Sequence, residues 1–238
     1  MASDITVYNE GLYEGLWRHA HFRPPTLFPW WPVVESLATG TVERLEIGPG
    51  VWPKLPVKGT HVLELAEHAR KTLEREGAIV HGSLLADAAF ADGRFELVGF
   101  FEVLEHVDDD VAFLRDVARV TKPGGRVVLS VPLSMKRFTA YDAFIGHARR
   151  YEPAELKEKL DAAGLRMDRF EVRGGGFGPG TAKFVVGLCK IAPRFVLWLT
   201  ESVVLPLGAK TKIDWRDASE WDVLSADAAE CAVVCTRV

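Results

Sequence analysis

The sequence predicts an α/β fold, a mainly parallel seven-stranded sheet with helices on both faces and a helical insertion before the final strand, and three observations point to it. Through residue 173, short apolar segments alternate with segments whose apolar residues recur at helical spacing, the order expected of βαβ units. A chain of 238 residues, 48% of them hydrophobic, can bury one substantial core. The run GGGFGPG at Gly174–Gly180 then separates this alternating stretch from an apolar segment that precedes one last strand-like run.

Residues 1–40 open with Tyr8, Leu12 and Leu16 at helical spacing, Tyr13 and Trp17 beside them, and the Pro-stiffened connector FRPPTLFPWWP. This helical, aromatic segment is expected to pack on the sheet edge, with a lid over a bound ligand as the competing reading. Strands are expected at Val42–Ile47, His61–Leu65, Ala78–His81, Phe95–Phe100, Arg126–Val131 and Met167–Val172, within a main domain spanning 41–173. A helix over Asp110–Thr121 places Val111, Leu114, Val117 and Ala118 together, and Asp108–Asp110 supplies its N-cap and first-turn charge. A second helix, Pro153–Ala163, starts on proline and stops before Gly164. Residues 174–227 form the insertion, and Cys231–Arg237, within 228–238, supplies the final strand of the main sheet.

Composition narrows the function. A net charge of −4 provides no basic field, so nucleic acid is not the expected partner. Cys189, Cys231 and Cys235 contain no CxxC pair and fit neither a disulfide framework nor a tetrahedral metal site, which suggests a cytoplasmic protein. Asp108–Asp110 reads as a helix start, so no metal site is expected. Met1–Ile5 shows no secretory signal, and the apolar run from Phe184 to Ala209 is broken by Lys190, Pro193, Arg194 and Glu201, against a spanning helix.

The chemistry begins at Arg44–Gly50, RLEIGPG, where a strand ends in an acid and two glycines flank a proline; glycine lets backbone approach a ligand closely. A dinucleotide fingerprint would add a third glycine near Pro53, and none is there, nor is there a YxxxK, so an NAD(P) oxidoreductase is the weakest reading. The next strand, HVLELA, carries Glu64 near its end, where an acid can accept both hydroxyls of a ribose.

With these motifs in place the chain resembles the class I S-adenosylmethionine-dependent methyltransferases of the small-molecule type, over about Leu45 to Leu165 and again at the final strand. The resemblance implies a Rossmann-like sheet whose last strand is antiparallel, and S-adenosylmethionine as cofactor. EIGPG is similar to the family's first motif, which implies that Glu46, Gly48, Pro49 and Gly50 hold the methionine part; Glu64, with Leu65 beside it, matches the ribose acid. In VHGSLLADAAF the position after the glycine, where the family carries aspartate, is Ser83, and Asp87 resembles a later acid near the adenine; one of the two contacts the base. FELVGFFEVLEHV implies that Phe100, Phe101, Glu102 and His106 lie along the cofactor, and TKPGG resembles the turn before the fifth strand. One departure stands out: residues 51–60, between Gly50 and His61, include Pro53 and Pro56, so the family's first helix is expected to be shortened or absent.

Methyl transfer from a sulfonium is an in-line displacement in which alignment and desolvation supply much of the rate, with a base of use where the acceptor is a hydroxyl. His106, His147 and Tyr151 are the catalytic candidates; the last two belong to IGHARRY, whose Arg149 and Arg150 suit an anionic group on the acceptor. A small-molecule or lipid-like acceptor is therefore expected. The insertion is read first as a substrate wall, then as a homodimer interface, then as a peripheral membrane contact. The alternative to catalysis is a regulatory protein that binds the cofactor without transferring its methyl group.

Overall fold

The computed structural model describes residues 4–174, 179–204, 207, 213–223 and 228–238. Part of the Gly174–Gly180 run and parts of the 174–227 insertion lie outside these residues.

In chain order the main elements are α1 (Asp4–Trp17), α2 (Trp31–Ala38), β1 (Arg44–Ile47), β2 (His61–Leu63), α3 (Glu67–Arg75), β3 (Ile79–His81), β4 (Phe95–Phe101), α4 (Asp110–Val120), β5 (Thr121–Pro132), α5 (Ala140–Phe144), α6 (Pro153–Ala162), β6 (Leu165–Arg173), α7 (Pro179–Ile191), α8 (Pro193–Leu199), β7 (Arg216–Asp217) and β8 (Glu230–Arg237). The sheet order is β3-β2-β1-β4-β5-β8-β6-β7. Strands β1 to β5 pair in parallel, and β8 runs antiparallel to both β5 and β6. All seven expected strands are present, and β7 adds a two-residue eighth by pairing antiparallel with Arg169 and Phe170. Strand β5 starts at Thr121, earlier than the expected Arg126, because Thr121 pairs with Phe95 before the register shifts at Phe95/Leu97.

Central strands buried on both faces read as continuous apolar runs, and β4 and β5 show why. One face, carrying Leu45, Val98, Phe100, Val127, Leu129 and Val233, packs against Leu114 and Val117 of α4 and Leu156 and Leu160 of α6. The other, carrying Leu97, Phe101, Val128, Ala232 and Val234, packs against Trp30 and against Val34 and Ala38 of α2. The N-terminal segment thus reaches the sheet face and not only its edge.

Residues 48–60 contain no helix, as the prolines require. Backbone N–H groups on this buried loop still need acceptors, and Glu46, 1% exposed, supplies them: its carboxylate accepts from the amides of Lys54 at 2.7 Å and Leu55 at 3.1 Å. Leu55 is thereby pinned into the second core, where burying its side chain contributes about 2 kcal/mol.

The described parts of the insertion lean on the N-terminal segment. Leu197 of α8 joins Trp17, Ala20 and Val51 in a third cluster, and Glu201 accepts from the backbone N–H of His21 at 2.6 Å. Among the described residues no helix is long and apolar enough to cross a membrane.

Candidate functional site

At the C-terminal ends of β1, β2 and β4, where open α/β sheets bind ligands, lies a cavity of about 860 Å³. Its walls differ in character. One is made by Gly48, Pro49, Glu64, Leu65 and Ser83; the other by Glu102, His106, Thr139, Asp142, His147 and Arg150; Trp17, Trp30, Trp52 and Phe101 supply apolar surface.

On the first wall, Gly48 and Gly50 adopt φ of +63° and +60°, which frees the turn after β1 to fold tightly. Gly50 has a second reason: a Cβ there would come within 2.2 Å of the Trp17 ring. The Glu64 carboxylate accepts from the amides of Gly50 at 2.8 Å and Ala66 at 2.9 Å, and burial raises its pKa. Two accepted bonds leave lone pairs on both oxygens for further donors. Tyr13 of α1 stacks on Trp17 with ring centroids 5.9 Å apart, so the N-terminal helix stands over this turn.

The second wall is built from sequence-distant pieces. Glu102 follows β4 at φ +53°, a conformation rare for a side chain other than glycine, and Ser130 of β5 donates to its carboxylate at 2.8 Å. His106 Nδ1 sits 3.0 Å from the Gly146 carbonyl, with the Asn9 amide nitrogen 3.3 Å away, and Tyr13 Oη lies 3.4 Å from its Nε2. Burial and the neighbouring His147 push the His106 pKa down to about 3, so the ring is neutral at physiological pH. His147 Nδ1 is 3.1 Å from Asp142 Oδ1, and Asp142 also accepts from the Thr139 amide and hydroxyl and from Arg150. That set of donors holds the Asp142 carboxyl well below the usual range. Gly146, at φ +82°, passes so close to Asn9 that a Cβ would meet its side-chain oxygen at 1.8 Å.

The sequence-derived candidates divide accordingly. Gly48, Pro49, Glu64, Leu65, Ser83, Phe101, Glu102, His106 and His147 line the cavity; Glu46, Gly50, Asp87, Phe100 and Tyr151 do not. Glu46 is engaged with the loop that replaces a helix, and burial raises its pKa to about 7. Gly50 is covered by Trp17. Asp87 is exposed, leaving Ser83 as the member of that pair on the wall. Phe100 points to the opposite core, edge-on to Phe113. Tyr151 is fully buried behind the wall, donating to Asp110 at 2.9 Å and contacting the Leu104 carbonyl at 3.2 Å. Asp110 also takes Arg149 at 2.9 Å and Lys159 at 2.6 Å, so Arg149 is committed to the scaffold while Arg150 reaches the cavity.

Sequence reasoning passed over Asn9, Lys54, Glu105, Asp142 and Glu230, and named Tyr13 only as part of the aromatic N-terminal segment. Lys54 is brought to about 8 by burial, and Glu230 is raised to about 8 by burial and the Glu102 charge. Of these, only Glu105 carried a local signal, its place between Glu102 and His106 in EVLEH.

A family model described as a methyltransferase domain matches residues 45–169. The chain belongs to the class I S-adenosylmethionine-dependent methyltransferases. It is 35% identical over 94 residues to a probable S-adenosylmethionine-dependent methyltransferase of Mycolicibacterium smegmatis, covering 38% of this chain and 35% of that protein. It is also 35% identical over 96 residues to a ubiquinone/menaquinone biosynthesis C-methyltransferase of Desulfotalea psychrophila, covering 40% and 39%. The chain therefore matches little more than a third of each relative's length. A solved S-adenosylmethionine-dependent methyltransferase from Thermotoga maritima shares the fold at a TM-score of 0.58 and 14% identity, covering 98% of this chain and 96% of that one. S-adenosylmethionine is the cofactor of this methyltransferase family, and the NAD(P) reading is set aside. The cavity fits that cofactor in kind: Glu64 keeps free lone pairs for ribose hydroxyls, and the Gly48–Pro49 backbone borders open space.

Proposed function

We propose that this methyltransferase transfers the methyl group of S-adenosylmethionine to a small-molecule or lipid-like acceptor bound against the His106–His147 wall. The single observation that carries the reading is one continuous cavity bordered on one side by Glu64 and on the other by a wall of ionisable groups. Glu64 and Leu65 would hold the ribose, Ser83 the adenine edge, and Gly48, Pro49 and Phe101 the rest of the cofactor. The relative that acts in quinone biosynthesis, together with the tryptophans lining the cavity, supports an apolar acceptor. Phe184, Phe195 and Trp198, exposed on α7 and α8, add apolar surface at which a membrane-borne acceptor or a second copy of the chain could meet the protein. Three free cysteines and the absence of a spanning helix among the described residues support a cytoplasmic setting.

Bound there, S-adenosylmethionine would supply an electrophilic methyl group to an acceptor lone pair, and the protein's part would be to align the two and exclude water. His106 and His147 are the side chains that would touch the acceptor; Asp142 orients His147.

Calorimetry with S-adenosylhomocysteine tests the reading. Glu64→Ala should weaken binding about 10- to 100-fold, the loss of charge-assisted bonds to two hydroxyls. Because Glu64 also holds two backbone amides, Glu64→Gln, which keeps one acceptor oxygen, serves as the folded control. No binding by the unaltered protein overturns the proposal. Labelled cofactor incubated with metabolite and lipid extracts then separates catalysis from mere binding. The second reading, a cofactor-binding regulator, draws on the Trp17–Tyr13 stack standing over the glycine turn, and tight binding with no labelled product in any extract would favour it.

A further inference from the structure

Glu105 is out of place on an ordinary protein wall. It is 0% exposed, yet neither carboxylate oxygen has a hydrogen-bond partner. Buried carboxylates are otherwise paired or hydrogen-bonded, so Glu105 offers two oxygens that a cation would satisfy. Two imidazoles face it. One ligand atom from each of Glu105, His106 and His147 lies within 4.8 Å of the others, and His147 Nε2 is 3.5 Å from Glu105 Oε1.

Both rings are held from behind in the way that metal-binding histidines are. Asp142 Oδ1 accepts from His147 Nδ1, and the Gly146 carbonyl, at 3.0 Å nearer to His106 Nδ1 than the Asn9 amide nitrogen at 3.3 Å, accepts from that atom, which places the proton on Nδ1 in each ring and leaves Nε2 with its lone pair. Only the long contact from Tyr13 Oη, at 3.4 Å, competes at His106 Nε2. Glu102, three residues before Glu105, adds an oxygen donor exposed to the cavity from its left-handed backbone. His106 and His147 border the same cavity, so a cation held here would keep coordination positions open to it.

We propose that Glu105, His106 and His147 form a divalent transition-metal site on the acceptor wall, with Glu102 as a fourth donor and open positions that take an oxygen of the acceptor. Two imidazoles and a carboxylate suit Mn²⁺, Fe²⁺ or Zn²⁺ better than Ca²⁺, whose sites are built of oxygen. A hydroxyl bound to such a cation loses its proton to solvent more readily, and the resulting oxygen lone pair would attack the sulfonium methyl while the C–S pair stays on sulfur. This use of the acceptor's oxygen rests on the methyl-transfer reading; the metal site itself does not.

The test strips the purified protein with chelator and titrates it with Mn²⁺, following the free ion by electron paramagnetic resonance, with Zn²⁺ and Mg²⁺ in parallel titrations. One Mn²⁺ should bind per chain, at least tenfold more weakly in Glu105→Gln and in His147→Ala, while S-adenosylhomocysteine binding to Glu105→Gln stays within threefold of the unaltered protein. Should the variants fail to fold, nuclear magnetic resonance of the unaltered chain decides: substoichiometric Mn²⁺ should selectively broaden the ring signals of two of its seven histidines. Neither Mn²⁺ nor Zn²⁺ binding above the Glu105→Gln level overturns the site. Metal binding without S-adenosylhomocysteine binding would leave the site standing and overturn the methyl-transfer reading, and the converse would overturn the site alone.

Discussion

The two walls of the cavity solve different problems with different materials. The Gly48–Glu64 wall is made of backbone: left-handed glycines, amides held by one carboxylate, and an aromatic ring where a side chain would otherwise stand. The Glu102–His147 wall is made of ionisable side chains drawn from the ends of β4 and from residues 139–150, locked by partners on the protein side. The first wall offers shape and the second offers charge, as expected if one receives a constant ligand and the other a reacting one.

The contrast breaks if charge proves dispensable on the second wall. Asp142→Asn should have the largest effect, about 3–5 kcal/mol of stability, because it strips Arg150 of its buried counter-charge and His147 Nδ1 of its carboxylate acceptor. Asp142 has a depressed pKa in the folded chain, so its contribution is present above the unfolded carboxylate range and is lost as pH falls through its folded value. Acid titrations of melting temperature should therefore fall steeply in the native chain and more gently in the variant; parallel curves would contradict the argument. On the first wall, Gly50→Ala should cost about 2–4 kcal/mol, measured by urea unfolding, since the new Cβ meets Trp17 in a left-handed backbone. A loss under about 0.5 kcal/mol would show that α1 moves aside freely. Tyr151→Phe sharpens the boundary of the reactive wall with the smallest effect, about 1 kcal/mol from the lost bond to Asp110, with kcat unchanged within threefold. A large fall in kcat would return Tyr151 to the chemistry.

The same contrast explains what could be read from the sequence. Shape written in backbone leaves local marks: EIGPG and the acid at the end of HVLELA are contiguous, and the prolines at 53 and 56 announce the missing helix. The strand series was legible because central strands are apolar on both faces. The charged wall left fewer marks. Asn9 and Tyr13 reach His106 across more than ninety residues, and nothing around either of them signals that contact. Glu46 looked like a cofactor residue because its motif is local, whereas its actual partners, the amides of Lys54 and Leu55, follow from the loop that stands where a helix is expected. Tyr151 and Arg149 sit in the same short run as His147, but only three-dimensional packing separates those committed to Asp110 from those facing the cavity.

The position of β8 bears on how the chain reaches this state. Latest in sequence among the described strands, it lies between β5 and β6, bonded along its length to both. During synthesis the other described strands of the sheet leave the ribosome before it, so β5 and β6 must wait with long unpaired, apolar edges open to other nascent chains. The folding chain is thus most prone to aggregation just before its last strand arrives. The step that fills the gap joins the two halves of the sheet in a single event.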